Sequence, residues 1–153
     1  MPETDWSTWQ ARLTSELATL EEGEVLVFDH QVPPELQRWS EPRRGLFRSK
    51  PAQPLVSGLM AQFTGQGQEL LLGILEDATL VDGHTETPPE DDQRIRDLGW
   101  QGPGDPAHYE PYAPNYTITD WPRSSAQELA RVTLEALQLQ GAVPSWQWTL
   151  TRR

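Results

Sequence analysis

Three histidines, His30, His84 and His108, lie in separate segments of the 153-residue chain. Asp29-His30 and Asp82-Gly83-His84 each offer two potential metal ligands, but neither has the helical i, i+3 or i, i+4 spacing that brings ligands onto one face. They read as surface or core histidines, and no metal site is expected. Glu86, Glu90, Asp91 and Asp92 form an acidic cluster, and paired carboxylates can run acid–base chemistry. These four, however, flank Thr87-Pro88-Pro89, a helix start at which negative charge is favoured, and that accounts for them. Gly65-Gln66-Gly67 lacks the further glycine and the following helix of a phosphate loop, so it reads as a hairpin turn. Ser49 and Ser57-Gly58 lack the strand–turn–helix context of an activated serine. The chain has no cysteine, which removes disulfides, thiolate zinc sites, iron–sulfur clusters and cysteine nucleophiles together. The chemistry expected is therefore binding rather than catalysis, with no cofactor.

Charge narrows the partner. Acidic residues number 23 against 12 basic ones, a formal net charge of −11. Such a field repels nucleic acid and anionic membrane and attracts protein segments rich in Lys and Arg. The residues after Met1 form no basic and then apolar leader, and no run approaches the length of a membrane span, so a soluble cytoplasmic protein is expected. Seven tryptophans are many for this length; such side chains supply buried area or amphipathic contact surface.

The elements that must position these residues follow from periodicity. Trp6, Trp9, Leu13, Leu17 and Leu20 mark one face of a helix, with Thr4 or Asp5 to cap it and Gly23 to end it. Glu24 to His30 reads as a strand. Residues 32–54 break the pattern with five prolines and carry Arg38, Arg43, Arg44, Arg48 and Lys50, with Trp39, Leu46 and Phe47 as their few apolar anchors; they read as a long loop. Leu55 to Thr64 and Glu69 to Glu76 make a hairpin. Leu70, Leu72 and Ile74 fall on one face of the returning strand and Leu71 and Leu75 on the other. Val25 and Val27 lie likewise opposite Leu26 and Phe28. An antiparallel sheet usually leaves one face in water, so a second apolar face calls for cover by helices, a second subunit or a client. A helix follows, capped by Thr87, with Pro88 at its first position and Glu90 completing a capping box, and closed by Gly99. A loop, a strand over Asn115 to Trp121, and a helix opened by a capping box at Ser125–Glu128 and closed by Gly141 complete the pattern. Trp146, Trp148 and Leu150 alternate in the tail, as in a final strand or docked arm. The fold class is α+β: an antiparallel sheet of about five strands with helices packed on it, ordered α-β-β-β-α-β(-β)-α plus an extended tail, in one domain over residues 1–153.

This pattern resembles the type III secretion chaperone-like and YbjN-like superfamily of small peptide-binding domains. The hairpin Met60–Asp77, the Leu98-Gly99-Trp100 step, Pro114-Asn115-Tyr116 and the helix Ala126–Leu137 carry the resemblance. It implies a homodimeric, non-enzymatic chaperone-like adaptor that binds a segment of a client protein; charge adds that the segment carries basic residues. Trp39, Phe47, Trp100 and Tyr116 are the residues expected at the protein contact. The other reading is an acidic inhibitor or immunity protein that blocks the basic site of a nuclease or toxin.

Overall fold

The computed structural model describes residues 5–31, 43–44, 49–50, 59–77, 89–108 and 115–153. Helix α1 (Trp6–Ala18) begins at Asp5, whose extended backbone and side-chain oxygen cap it by accepting the Ser7 N–H at 2.9 Å. Its buried stripe is Trp9, Leu13 and Leu17, the 3.6-residue period expected of one packed face. Gly23, with φ +84°, turns the chain into β1 (Val25–Gln31); glycine alone meets no steric cost there. Within the stretch expected as a loop, β2 (Arg43–Arg44) and β3 (Ser49–Lys50) form a small separate antiparallel ladder.

The hairpin is formed by β4 (Leu59–Gln66) and β5 (Leu70–Asp77). Its turn is a 3-10 segment, Gly67–Glu69, in which Gln68 and Glu69 hold positive φ. Gly65 lies in the strand rather than the turn, opposite Leu71, and must be glycine because the Glu21 carbonyl packs directly over its Cα: a side-chain carbon there would sit 1.9 Å from that oxygen. Then follow α2 (Pro89–Asp97), β6 (Tyr116–Pro122), α3 (Ala126–Leu139) and β7 (Gln147–Arg152). The caps expected at Thr87 and Pro88 lie outside the described residues. The capping box expected at Ser125 does not form: a 3-10 turn, Arg123–Ser125, precedes α3 and Ser125 makes no side-chain cap bond. Glu128 turns instead to Arg131, and the Ser125 carbonyl accepts the Trp121 Nε1–H at 2.9 Å.

The main sheet has five strands in the order β6-β5-β4-β1-β7, every pair antiparallel. The tail is thus a true strand, placed at an edge beside β1. One face of the sheet carries Leu26 and Phe28, Ala61 and Phe63, Leu71 and Leu75, Tyr116 and Ile118, all buried with the stripes of α1 and α3 in one core. The opposite face carries Val25 and Val27, Met60, Leu70, Leu72 and Ile74. Cross-strand partners Val27, Gln62, Ile74 and Thr117 form one row across it. Val27 and Leu72 are 8% exposed, while Val25, Met60, Leu70 and Ile74 are half-buried. No helix among the described residues is long and apolar enough to cross a membrane.

Candidate peptide-binding edge

The two edges of the sheet differ. Beside β6, Gln101 exchanges both backbone hydrogen bonds with Thr117 (2.7 and 2.9 Å), which closes part of that edge. Beside β7, no described strand pairs. The ladder fixes what β7 presents there. Val25 and Arg153 exchange both backbone bonds (3.1 and 2.8 Å), so the alternating antiparallel pattern makes Leu26–Arg152, Phe28–Leu150 and His30–Trp148 the non-hydrogen-bonded pairs. The N–H and C=O groups of Leu150 and Arg152 consequently point outward. An edge with outward donors and acceptors is a template for another extended chain.

Helix α1 runs along this edge. Trp6 contacts Trp148 at its start (ring centroids 5.7 Å) and Glu16 meets Arg152 near its end (3.2 Å). Between these points Ala11, Arg12, Ser15 and Glu16 face Leu150 across an open groove of about 310 Å³. Ala11 and Ser15 are exposed and small, and one helical turn apart they leave the flank of α1 set back from the strand. A chain added to β7 would place alternate side chains in this groove.

Arg152 fastens β7 to the rest of the fold. Its guanidinium donates to both Glu24 carboxylate oxygens (2.7 and 3.1 Å), to Glu16, to the Thr19 hydroxyl (2.9 Å) and to the Thr19 carbonyl (2.5 Å). Hydrogen bonds from Arg152 and from the Glu21 N–H hold the Glu24 carboxyl below the usual glutamate range. A carboxylate whose pKa is depressed by folding contributes stability above its unfolded value and loses it as pH falls through the folded one. The docking of β7 is therefore expected to weaken as pH drops below the ordinary carboxylate range. Amide exchange of Thr149 and Thr151, followed down in pH, checks this, and Arg152→Met should flatten the dependence. An unchanged dependence in that variant contradicts it.

The start of β7 is aromatic. Trp148 stacks on Phe28 (4.6 Å) and contacts Trp6, His30 (4.7 Å) and Trp146 (6.2 Å); Trp146 in turn stacks on His30 at 4.5 Å. The Trp148 indole N–H is satisfied by the Val143 carbonyl at 2.8 Å. Trp148 and His30 are buried, at 5% and 6% exposed, whereas Trp6 and Trp146 are half-buried.

Of the residues expected at a protein contact, Trp39 and Phe47 lie outside the described residues. Trp100 and Tyr116 are 0% and 1% exposed and sit in the core. Trp100 follows Gly99, whose φ is +114°, and donates its indole N–H to the Val132 carbonyl of α3 at 3.2 Å. The Tyr116 hydroxyl donates to Asp92 of α2 at 2.5 Å. These two tie α2 and α3 to the sheet and lie apart from the β7 edge. A cleft of about 460 Å³ between α2 and α3 is lined by Arg94, Asp97, Leu98, Glu135, Gln138 and Leu139. Among the described residues no three His, Asp or Glu side chains gather as a metal ion requires. Sequence reasoning missed the flank Ala11–Ser15 and the edge at Leu150, since exposed small residues on a helix carry no periodic signal; only the alternation of Trp146, Trp148 and Leu150 pointed there.

A family model described as "T3SS (YopN, CesT) and YbjN peptide-binding chaperone 3" matches residues 2–148. No curated protein and no solved structure matches the chain.

Proposed function

Since the chain belongs to the TY-Chap3 family of peptide-binding chaperones, we propose that it acts without catalysis, holding an extended segment of a client protein along the outer edge of β7. The observation that carries this reading is the pairing of outward backbone groups at Leu150 and Arg152 with a groove under α1. The family match ends at Trp148, so the placement at Leu150 and Arg152 rests on geometry. Strand addition supplies affinity through main-chain hydrogen bonds and selectivity through pockets for alternate side chains. The net charge of −11 supports a client segment with basic residues, whose association weakens as salt screens the field.

The experiment is capture of a client from native extract by the wild-type chain and by a variant whose groove is filled, Ser15→Trp, across a salt series. Client retained by wild type, lost in the variant and weakened by salt supports the reading. Equal capture by both, or capture indifferent to salt, contradicts it.

A homodimer is the second part of the reading. Apolar side chains on the face of the sheet opposite the core, with Val25, Met60, Leu70 and Ile74 only half-buried, support a second copy as their cover, because burying such side chains contributes about 25 cal/mol per Å². Sedimentation equilibrium is expected to give twice the chain mass, and Ile74→Arg to give the monomer. A monomeric wild-type chain at micromolar concentration contradicts the dimer.

A further inference from the structure

The groove beside β7 is charged, and one of its charges is uncommitted. Arg94, Arg96, Arg123, Arg131 and Arg152 each meet a carboxylate, as expected where 23 acidic residues face 12 basic ones. Arg12 is exposed and meets none among the described residues. Glu16 stands four positions on, the spacing at which opposite charges pair on a helix, yet the two turn apart. Glu16 accepts a hydrogen bond from Arg152 at 3.2 Å. The Arg12 guanidinium carbon lies 4.4 Å from the Trp9 ring centroid, one turn towards the start of α1. Trp9 is buried, so the guanidinium rests on a fixed platform, oriented in advance and with its N–H donors unspent.

Arg12 and Glu16 line the groove with Ala11, Ser15 and Leu150. Glu16 and Glu24 share Arg152, so the acidic end of the groove is already held and the Arg12 end is open. Leu150 presents its N–H and C=O outward. In an antiparallel pairing the client residue opposite it therefore exchanges both bonds with it. The side chain of that residue stands on the Leu150 side of the sheet, in the groove beside Arg12. A carboxylate there completes a charge-assisted pair that guanidinium geometry favours, whereas an amide leaves Arg12 without its counter-charge. This demand runs against the long-range field, which draws basic segments to the molecule and leaves selection at contact range to Arg12.

Resting on the strand-edge reading above, we propose that Arg12 reads an aspartate or glutamate side chain of the client strand, at the residue opposite Leu150. The partner is thus a segment that is basic overall and carries one acidic residue within the paired stretch.

Three capped nine-residue peptides of threonine background with a lysine near each end test this, carrying Glu, Gln or Lys at the central position. Binding is read by calorimetry. The Glu peptide is expected to bind about threefold tighter than the Gln peptide, the range of an exposed ion pair. The net charge of −11 opposes that preference, so only a local cation produces it. Arg12→Glu alters an exposed helix position, where the fold tolerates change; in this variant the Lys peptide should bind tighter than the Glu peptide. Glu still preferred there, or all three peptides weakened alike, overturns the assignment to Arg12. Equal binding of the Glu and Gln peptides by the wild-type chain, with both weakened in Leu150→Pro, overturns the carboxylate subsite and leaves the strand edge standing. Binding of none of the three, or binding indifferent to Leu150→Pro, overturns both.

Discussion

Replacing Trp100 with alanine is expected to lower folding stability by about 3–5 kcal/mol, the usual cost of emptying a fully buried aromatic site. A whole domain has only roughly 5–15 kcal/mol to lose. Trp100 has no exposed surface, and the sheet is shaped to receive it. Gly73 of β5 has Phe63, Ile118 and Trp100 so close that a side-chain carbon added to it would meet each at 3.1 to 3.2 Å. The indole therefore fills a hollow that only glycine leaves open, and the neighbouring backbone of β5 is held by two ladders that restrict collapse. Loss of the indole also removes its hydrogen bond to the Val132 carbonyl, which keeps its partner within α3, so the cavity dominates the cost. Urea denaturation measures the change. Trp100→Phe, which keeps most of the apolar area and loses the hydrogen bond, should fall between wild type and alanine. A loss below about 1 kcal/mol for alanine would show that the site collapses freely and that Trp100 is not an anchor of the core.

The second large effect concerns binding. Ser15→Trp places a bulky ring on an exposed helix position, where the fold tolerates it and surface substitutions usually change stability little. The ring occupies the groove beside Leu150 and denies it to a client side chain. Leu150→Pro attacks the same edge from the backbone, since it removes the outward N–H that a paired strand would accept from, and proline is tolerated at sheet edges. An unsatisfied partner on the client costs about 1–3 kcal/mol, and 1.4 kcal/mol is tenfold in affinity. Each variant is expected to weaken client binding about tenfold or more while its thermal midpoint shows the sheet intact. Wild-type affinity in both variants would place the client elsewhere on the molecule.

Much of this fold could be read before any coordinates. The stripe Trp9–Leu13–Leu17 and the alternation in Leu59–Phe63 state their periods openly, and α1, β1, the hairpin, β6 and α3 fall within a few residues of where those periods put them. The two-faced strands were legible as well, because Leu71 and Leu75 alternate with Leu70, Leu72 and Ile74. The chain does not encode locally which strands meet. The alternation at Trp146–Leu150 announced an extended tail, but its pairing with β1 rather than β6 is a tertiary outcome. The capping box at Ser125 was misleading: a 3-10 turn leads into α3, Ser125 makes no side-chain cap bond, and the Glu128 carboxylate is taken by Arg131. The Leu98-Gly99-Trp100 step was legible as a turn, while the depth to which Trp100 sinks depends on a glycine in a distant strand. The candidate edge was the least legible part, because an outward N–H is a property of ladder register and leaves no trace in residue type.

The central claim is that a client segment pairs with β7. Amide hydrogen exchange of the Leu150 and Arg152 N–H groups, measured with and without the captured client segment, tests it most directly. These two amides are expected to exchange fast in the free chain and to become strongly protected in the complex, with Thr149 and Thr151 changing little because β1 already holds them. Unchanged exchange at Leu150 and Arg152, with new protection confined to residues of other strands, would contradict it.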